Sequence, residues 1–236
     1  LARGGHPIDR LNIGVAGAGR MGQAIVAAIE READLTLAGV WARHTDIDAV
    51  VSAADVVIDF SLPEATATVL EAVLRHGKPL VCGVSGLDDR MVERLDHTAA
   101  LIPVVYDRNM SLGIAILERA VRDAAATLGP DFAIEISETH HQHKKDAPSG
   151  TALKLGEAIA EERGESGTGS VHFEVERRGE VPGDHEVIMQ SASERLTFAH
   201  SVTTRLVFAD GAIRAARWVV SQAPGRYQMR DVLFGR

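Results

Sequence analysis

LNIGVAGAGRMGQAIVAAIER, Leu11 to Arg31, is the stretch whose reading decides the fold. Leu11 to Val15 is a short apolar, β-branched run that ends at once in Gly17-Ala18-Gly19-Arg20-Met21-Gly22 and leads into an amphipathic segment from Gln23 to Arg31. Strand, glycine turn and helix in that order are what a dinucleotide-binding βα unit requires. Gly17 serves the tight turn, Gly19 the close approach of a pyrophosphate, and Gly22 the packing of helix on strand. A glycine turn that holds no cofactor stays open as the alternative at this point. The same rhythm then repeats: Leu35 to Val40, Ala54 to Phe60, Pro79 to Cys82 and Ile102 to Tyr106 read as strands, with helices at Pro63 to His76 and Asp88 to Ala100. Strands alternating with helices of this length predict a parallel, doubly wound sheet.

Ligands of such sheets lie beyond the carboxyl ends of the strands. The loops that fall there are Asp59-Phe60-Ser61, Gly83-Val84-Ser85-Gly86 and Asp107-Arg108-Asn109-Met110-Ser111. After the second strand, where a carboxylate commonly binds the ribose of NAD, the chain reads Trp41-Ala42-Arg43-His44, with no carboxylate until Asp46. Arg43 can pair with a 2′-phosphate through its planar fork, so the expected cofactor is NADPH, with NADH possible. In the competing reading Arg43 is a solvated strand end and Asp46 folds back onto the ribose.

The second half has a different rhythm. A helix from Ser111 to Leu128 is followed by a strand at Asp131 to Glu138, a helix at Gly150 to Arg163, and then strand candidates without intervening helices. These are Val171 to Arg177, Glu186 to Ser191, Arg195 to Ser201 and Thr203 to Phe208, before a last helix from Asp210 to Gln222 and a tail from Tyr227 to Leu233. This predicts a mixed sheet, and the change near residue 111 predicts two domains with a cleft between them.

Between the Glu138 strand and the Gly150 helix runs His140-His141-Gln142-His143-Lys144-Lys145-Asp146-Ala147-Pro148-Ser149. Three of ten histidines and two lysines crowd this loop in a chain of 236 residues whose formal charge is −8. Acidic balance argues against nucleic acid or an anionic membrane as partner, so a local basic loop points to a small anionic ligand. The helix that opens at Gly150 adds backbone N–H groups that favour carboxylate or phosphate. A histidine here titrates near neutral pH, and a bound dianion would raise its pKa and hold it as a proton donor. Lys144 would be a cation for a carboxylate or a second acid, and Lys145 faces solvent. Zinc held by His141 and His143 with Glu138 or Asp146, or a plain solvated loop, are the alternatives; no metal is expected.

With 45% hydrophobic and 25% charged residues, the chain is expected to be a globular protein of the cytoplasm without signal peptide or membrane span. Its one cysteine, Cys82, fits a reducing compartment and sits in an apolar run unsuited to a nucleophile. Leu1 to Arg10 is set aside as a processing remnant. A nicotinamide fingerprint in one half and a proton-donating, carboxylate-binding loop in the other suggest reduction of an unsaturated acid, with hydride from one side and a proton from the other.

The run from Glu138 to Ala152, ETHHQHKKDAPSGTA, resembles the 4-hydroxy-tetrahydrodipicolinate reductase family, also called dihydrodipicolinate reductase, of diaminopimelate and lysine biosynthesis. Supporting matches include Gly17 to Gly22, Gly83 to Gly86, Asn109-Met110-Ser111, Gly183-Asp184-His185, Glu194-Arg195-Leu196, His200 and Met229 to Leu233. The resemblance implies a Rossmann-like parallel-sheet domain over 1–111 plus 217–236, and a mixed-sheet α+β substrate and oligomerisation domain over 112–216. It implies His140 as proton donor and acceptor, Lys144 as proton donor, and His141, Gly150 and Thr151 as binders of a small dicarboxylate. It implies Gly17, Ala18, Gly19, Arg20, Met21, Gly22, Arg43, Gly83, Val84, Ser85, Asp107, Arg108, Asn109 and Met110 around the cofactor, Arg205 near the cleft, and a homotetramer. The glycine turn is one residue shorter than is frequent in the family, Ala42 stands where many members carry a carboxylate, and the stretches after Arg43 and before Arg177 are short. A nicotinamide-binding sensor without turnover and a reductase of another cyclic imine acid are the competing functions.

Overall fold

The computed structural model describes residues 10–235 and divides them between two compact units, one running to Met110 and resuming at Phe208, the other Ser111–Val207. The chain thus returns to the first unit at Phe208, earlier than the boundary at 217 expected from the sequence. Residues 1–9, including nearly all of the stretch set aside as a remnant, lie outside the described residues.

The first unit is built on six parallel strands, β1 (Leu11–Ala16), β2 (Leu35–Trp41), β3 (Val56–Asp59), β4 (Leu80–Cys82), β5 (Pro103–Tyr106) and β10 (Gly225–Tyr227), in the order β10-β5-β4-β3-β1-β2. Helices α1 (Arg20–Glu30), α2 (Ile47–Ala53), α3 (Pro63–His76) and α4 (Asp89–Ala99) connect the first five. Because every strand points the same way, the turns after β1, β3, β4 and β5 all open at one edge. β1 lies between β2 and β3, which makes its carboxyl end the switch point of the sheet. The strands are short and mostly apolar, with Ile13, Val15, Val56, Ile58, Leu80, Val81, Val104 and Val105 all buried, as a sheet covered on both faces requires.

The short helix α2 was not expected. Its signals are local and slight: Asp46 caps it by accepting from the Asp48 N–H, and Ile47 and Val51 form its buried stripe. Thr203 to Phe208, expected as a strand for its β-branched content, is instead the lead-in to α7 (Leu206–Val219). Ala209, Ala212, Ile213 and Ala216 recur at helical spacing and are buried, so the amphipathic period prevails over β propensity. The tail forms β10 and α8 (Met229–Phe234), and β10 pairs in parallel with β5.

The second unit sets α5 (Leu112–Leu128) and α6 (Gly150–Glu162) with a four-stranded sheet of β6 (Ala133–His140), β7 (His172–Arg177), β8 (Asp184–Gln190) and β9 (Arg195–Ser201), ordered β7-β6-β8-β9. β6 runs parallel to β7 and antiparallel to β8, so the sheet is mixed. The core joins Ile114, Leu117 and Val121 of α5 and Leu155 and Ile159 of α6 to Ile134, Ile136, Val187 and Met189 of the strands. A buried ion pair, Lys154 Nζ to Glu118 Oε2 at 2.8 Å, adds a charged link between the two helices.

Candidate active site

Alternation along β6 decides what the second unit buries. Ile134, Ile136, Glu138 and His140 share the face that packs on the helices, while Glu135, Ser137 and Thr139 lie on the other. The strand continues to His140, two residues beyond its expected end, so His140 is a core-face strand residue and only His141 to Pro148 form the loop. Cross-strand register sets Glu138 opposite His185 of β8, and His185 opposite His200 of β9.

The result is a buried polar cluster among hydrocarbon. Glu138, His140 and His185 are 3%, 6% and 4% exposed. Glu138 Oε1 accepts from the Ser149 N–H at 3.0 Å and faces both terminal nitrogens of Arg177 at 3.3 Å. Oε2 makes no hydrogen bond and lies 3.5 Å from His140 Nδ1 and 3.7 Å from His185 Nε2. The His140 and His185 rings meet edge to face at 5.1 Å. Burial pushes the His140 imidazole down to about 4, against the pull of Glu138 and with the push of Lys144 and Arg177. Burial likewise pushes His185 down to about 3, helped by the positive charge that His140, His200 and Lys144 would present to it. Both rings are therefore neutral at pH 7 when nothing else is bound.

Arg177 secures the loop. From the end of β7 its guanidinium donates to the carbonyls of Lys144, Asp146 and Glu176 while facing Glu138. Ser149 caps α6 by accepting from the Ala152 N–H, and its hydroxyl is 3.3 Å from His185 Nε2. Lys144 directs its ammonium to Asp146 at 2.7 Å. Burial alone would raise the Asp146 carboxyl, but the hydrogen bond and charge of Lys144 and the backbone N–H of Gly150 hold it below the usual range. Lys145 is exposed, and Thr151 is buried in the first turn of α6.

His141 and His143, the pair on which the zinc reading rested, have ring centroids 6.3 Å apart, and His143 is exposed beside Glu180. Glu138, His140 and His185 bring three ligand atoms within 4.8 Å of one another. Arg177 already balances that carboxylate, and a divalent ion there would meet a guanidinium and an ammonium close by, so the arrangement reads as an acid-base network. Sequence reasoning assigned no role to Arg177, named His185 only within the matched run Gly183-Asp184-His185, and treated Glu138 as part of the main matched run and as a possible ligand. The alternation of β6 carried a signal for Glu138; the cross-strand partners left none.

In the first unit the turn after β1 is shaped by backbone. Gly17 has φ +106°, and a Cβ there would come within 2.7 Å of the Phe60 carbonyl oxygen. A Cβ on Gly22 would collide with the Gly17 carbonyl, whereas one on Gly19 would meet nothing within 4 Å. Gly19 is the N-cap of α1 and supplies no side-chain cap, so the first N–H groups of the helix face the open side of the turn. Such a cradle fits the pyrophosphate of a dinucleotide. Ala18, Gly19 and Arg20 are exposed on it, with Met21 half-buried.

Arg43 is exposed in the turn after β2, which is closed by Thr45 Oγ1 accepting from the Ala42 N–H at 2.8 Å. Asp46, the alternative ribose partner, is engaged as the cap of α2. Beyond β4, Gly83 is half-buried against the Phe60 ring, Val84 is buried and Ser85 exposed. Beyond β5, Asp107 is buried, with one oxygen accepting from the Asn109 N–H and the other from the Met229 N–H of α8. Its carboxylate shapes the loop that offers Arg108 and Asn109 and ties it to the tail, while Met110 is buried beneath.

Residues 11–110 match the family described as dihydrodipicolinate reductase, N-terminus, and residues 113–233 match dihydrodipicolinate reductase, C-terminus. The chain belongs to the dihydrodipicolinate reductase family. Its relatives include the 4-hydroxy-tetrahydrodipicolinate reductases of Zymomonas mobilis and Caulobacter vibrioides, each 42% identical over 94% of this chain and 97% of the relative. Among solved structures, a dipicolinate-bound dihydrodipicolinate reductase from Paenisporosarcina sp. TG-14 shares the fold at a TM-score of 0.76 and 21% identity, covering 95% of this chain and 100% of that one. A diaminopimelate dehydrogenase of C. glutamicum shares it more loosely, at a TM-score of 0.57 and 14% identity over 94% of each chain. No helix among the described residues is long and apolar enough to cross a membrane.

Proposed function

We propose that this chain reduces 4-hydroxy-tetrahydrodipicolinate to tetrahydrodipicolinate with loss of water, preferring NADPH to NADH, in the cytoplasm and as a homotetramer. Family membership over nearly the whole chain supports the reaction. The single structural observation that carries it is a buried His140 held beside Glu138, with Lys144 and Arg177 close by at the start of α6, a setting in which a dicarboxylate would itself create the acid.

When bound, the nicotinamide supplies a hydride to the ring. The Gly17 to Gly22 turn and the α1 N-terminus hold the pyrophosphate; Arg43 takes the 2′-phosphate; Val84, Ser85, Arg108 and Asn109 line the carboxyl edge of the sheet. Exposed Arg43, with Asp46 engaged as the cap of α2, supports the NADPH preference. His141, Lys144, Gly150 and Thr151 bind the substrate carboxylates, and in doing so Lys144 exchanges Asp146 for the ligand. Two negative charges beside His140 offset the desolvation that keeps it neutral, and the imidazolium so formed delivers its proton to the carbon that gains carbanion character. Overall one hydride and one proton enter the ring and one water leaves. The tetramer rests on the family, with the sheet face opposite α5 and α6, carrying Glu135 and Thr139, as the surface available for it.

The test is oxidation of NADPH and NADH by the purified protein, with substrate generated from pyruvate and aspartate semialdehyde by the preceding synthase. Synthase-dependent oxidation, faster with NADPH and competed by pyridine-2,6-dicarboxylate, is expected. Cofactor binding without oxidation would replace this reading with the sensor.

A further inference from the structure

His140 needs a partner for its second nitrogen if it is to carry a proton, and the cluster holds one poised for that role. Glu138 has divided duties. Its Oε1 is committed to the Ser149 N–H and Arg177, whereas Oε2 is buried, makes no hydrogen bond and stands 3.5 Å from His140 Nδ1, itself buried without a hydrogen bond. Two unsatisfied polar atoms facing each other in a core are costly unless some state of the protein joins them. A contraction of a few tenths of an ångström would do so, and catalytic hydrogen bonds are commonly long before ligand arrives.

Resting on the reaction proposed above, we infer that Glu138 is the positioning residue for His140: its Oε2 receives the Nδ1–H, fixing the tautomer that presents Nε2 to the substrate and balancing the imidazolium that dicarboxylate binding creates. The proton comes from solvent as the dianion binds, is carried at Nε2, passes to the reduced ring, and leaves a neutral ring whose Nδ1–H still points at Glu138. The carboxylate keeps its charge throughout.

The groups that bear on this balance come from every neighbouring element. Lys144 from the loop and Arg177 from β7 oppose the imidazolium, and Asp146 and Glu138 favour it. His185 of β8, whose Nε2 lies 3.7 Å from the same Oε2, competes for that oxygen and loses it when His140 becomes charged, because Ser149 Oγ at 3.3 Å offers it another partner. His200 bears on His185, whose pKa its charge would lower.

The discriminating substitution is Glu138→Gln. The amide oxygen can keep the Oε1 contacts to Ser149 and Arg177, while its NH2 would face Nδ1 and enforce the opposite tautomer, the logic by which an asparagine in place of a triad aspartate disables a histidine base. Calorimetric titration of the complete protein with pyridine-2,6-dicarboxylate at pH 7.5, in two buffers of different ionisation enthalpy, reads proton uptake directly. Wild type is expected to take up most of one proton per site and Glu138→Gln almost none. In turnover, the loss of kcat at high pH, where His140 gives up its proton, moves to lower pH by about one unit or more in the variant. Its kcat at pH 7 falls at least about tenfold with KM within about threefold. Adding Glu138→Gln to His140→Gln should then change kcat by less than about twofold.

No proton uptake by wild type, an unmoved high-pH limb in Glu138→Gln, or an additive loss in the double variant would each overturn the assignment; the first needs no variant to fold. A wild-type protein that oxidises neither cofactor would instead overturn the proposed reaction, so the two failures are separable.

Discussion

The turn after β1 and the cluster at the end of β6 solve opposite problems. Gly17 to Gly22 removes side chains so that backbone N–H groups can face an anion, and the glycines that permit it lie in one contiguous stretch of the chain. The Glu138, His140 and His185 cluster gathers titratable side chains from β6 and β8 and buries them at a cost that only mutual compensation repays. One is a site made of absent atoms, with no room for a Cβ at Gly17 or Gly22; the other is made of groups each of which depends on the rest.

That contrast predicts how each breaks. The largest effect is expected from His140→Ala or Lys144→Ala, which should lower kcat by about 10²–10⁴ while leaving the Kd for NADPH, measured by fluorescence titration, near wild type. Unchanged turnover in both would remove the acid from this cluster. Glycine substitutions should split in two. Gly22→Ala forces the Gly17 carbonyl aside and should cost about 1–3 kcal/mol or more, seen as a lower Tm. Gly19→Ala, with open space around its Cβ, should keep the Tm and weaken cofactor binding. If Gly19→Ala leaves cofactor affinity intact, the turn does not approach a pyrophosphate. The smallest effect is reserved for an exposed contact: Arg43→Ala should lower the NADPH to NADH ratio of kcat/KM by about tenfold. A ratio that stays put would move specificity to another residue of the rim.

How well each region could be read beforehand follows from the same difference. The glycine turn, the alternation of strands and helices and the basic loop are properties of contiguous residues, and they identified the doubly wound sheet and the family. Where contiguous signals were weak or conflicting, the reading failed. α2 is a single seven-residue helix with a two-residue stripe, and Thr203 to Phe208 carries β-branched residues into what packing makes the start of α7. Asp46 could be read as a ribose ligand until its engagement as a cap was visible.

His140 was legible as a chemical group but not as a buried one, because its burial depends on β6 continuing to it in phase with Ile134 and Ile136. The placement of His185 and Arg177 was silent, since nothing in GDH or in VER says that one will face Glu138 from β8 and the other from β7. The order of residues alone specifies the turn that can cradle a phosphate, the charge of the loop and the reaction class, because those rest on local stereochemistry and composition. Strand register and helix packing assign the working states, a neutral His140, a half-satisfied Glu138 and an Asp46 engaged as a cap, because desolvation and hydrogen-bond geometry exist only once distant segments are brought together.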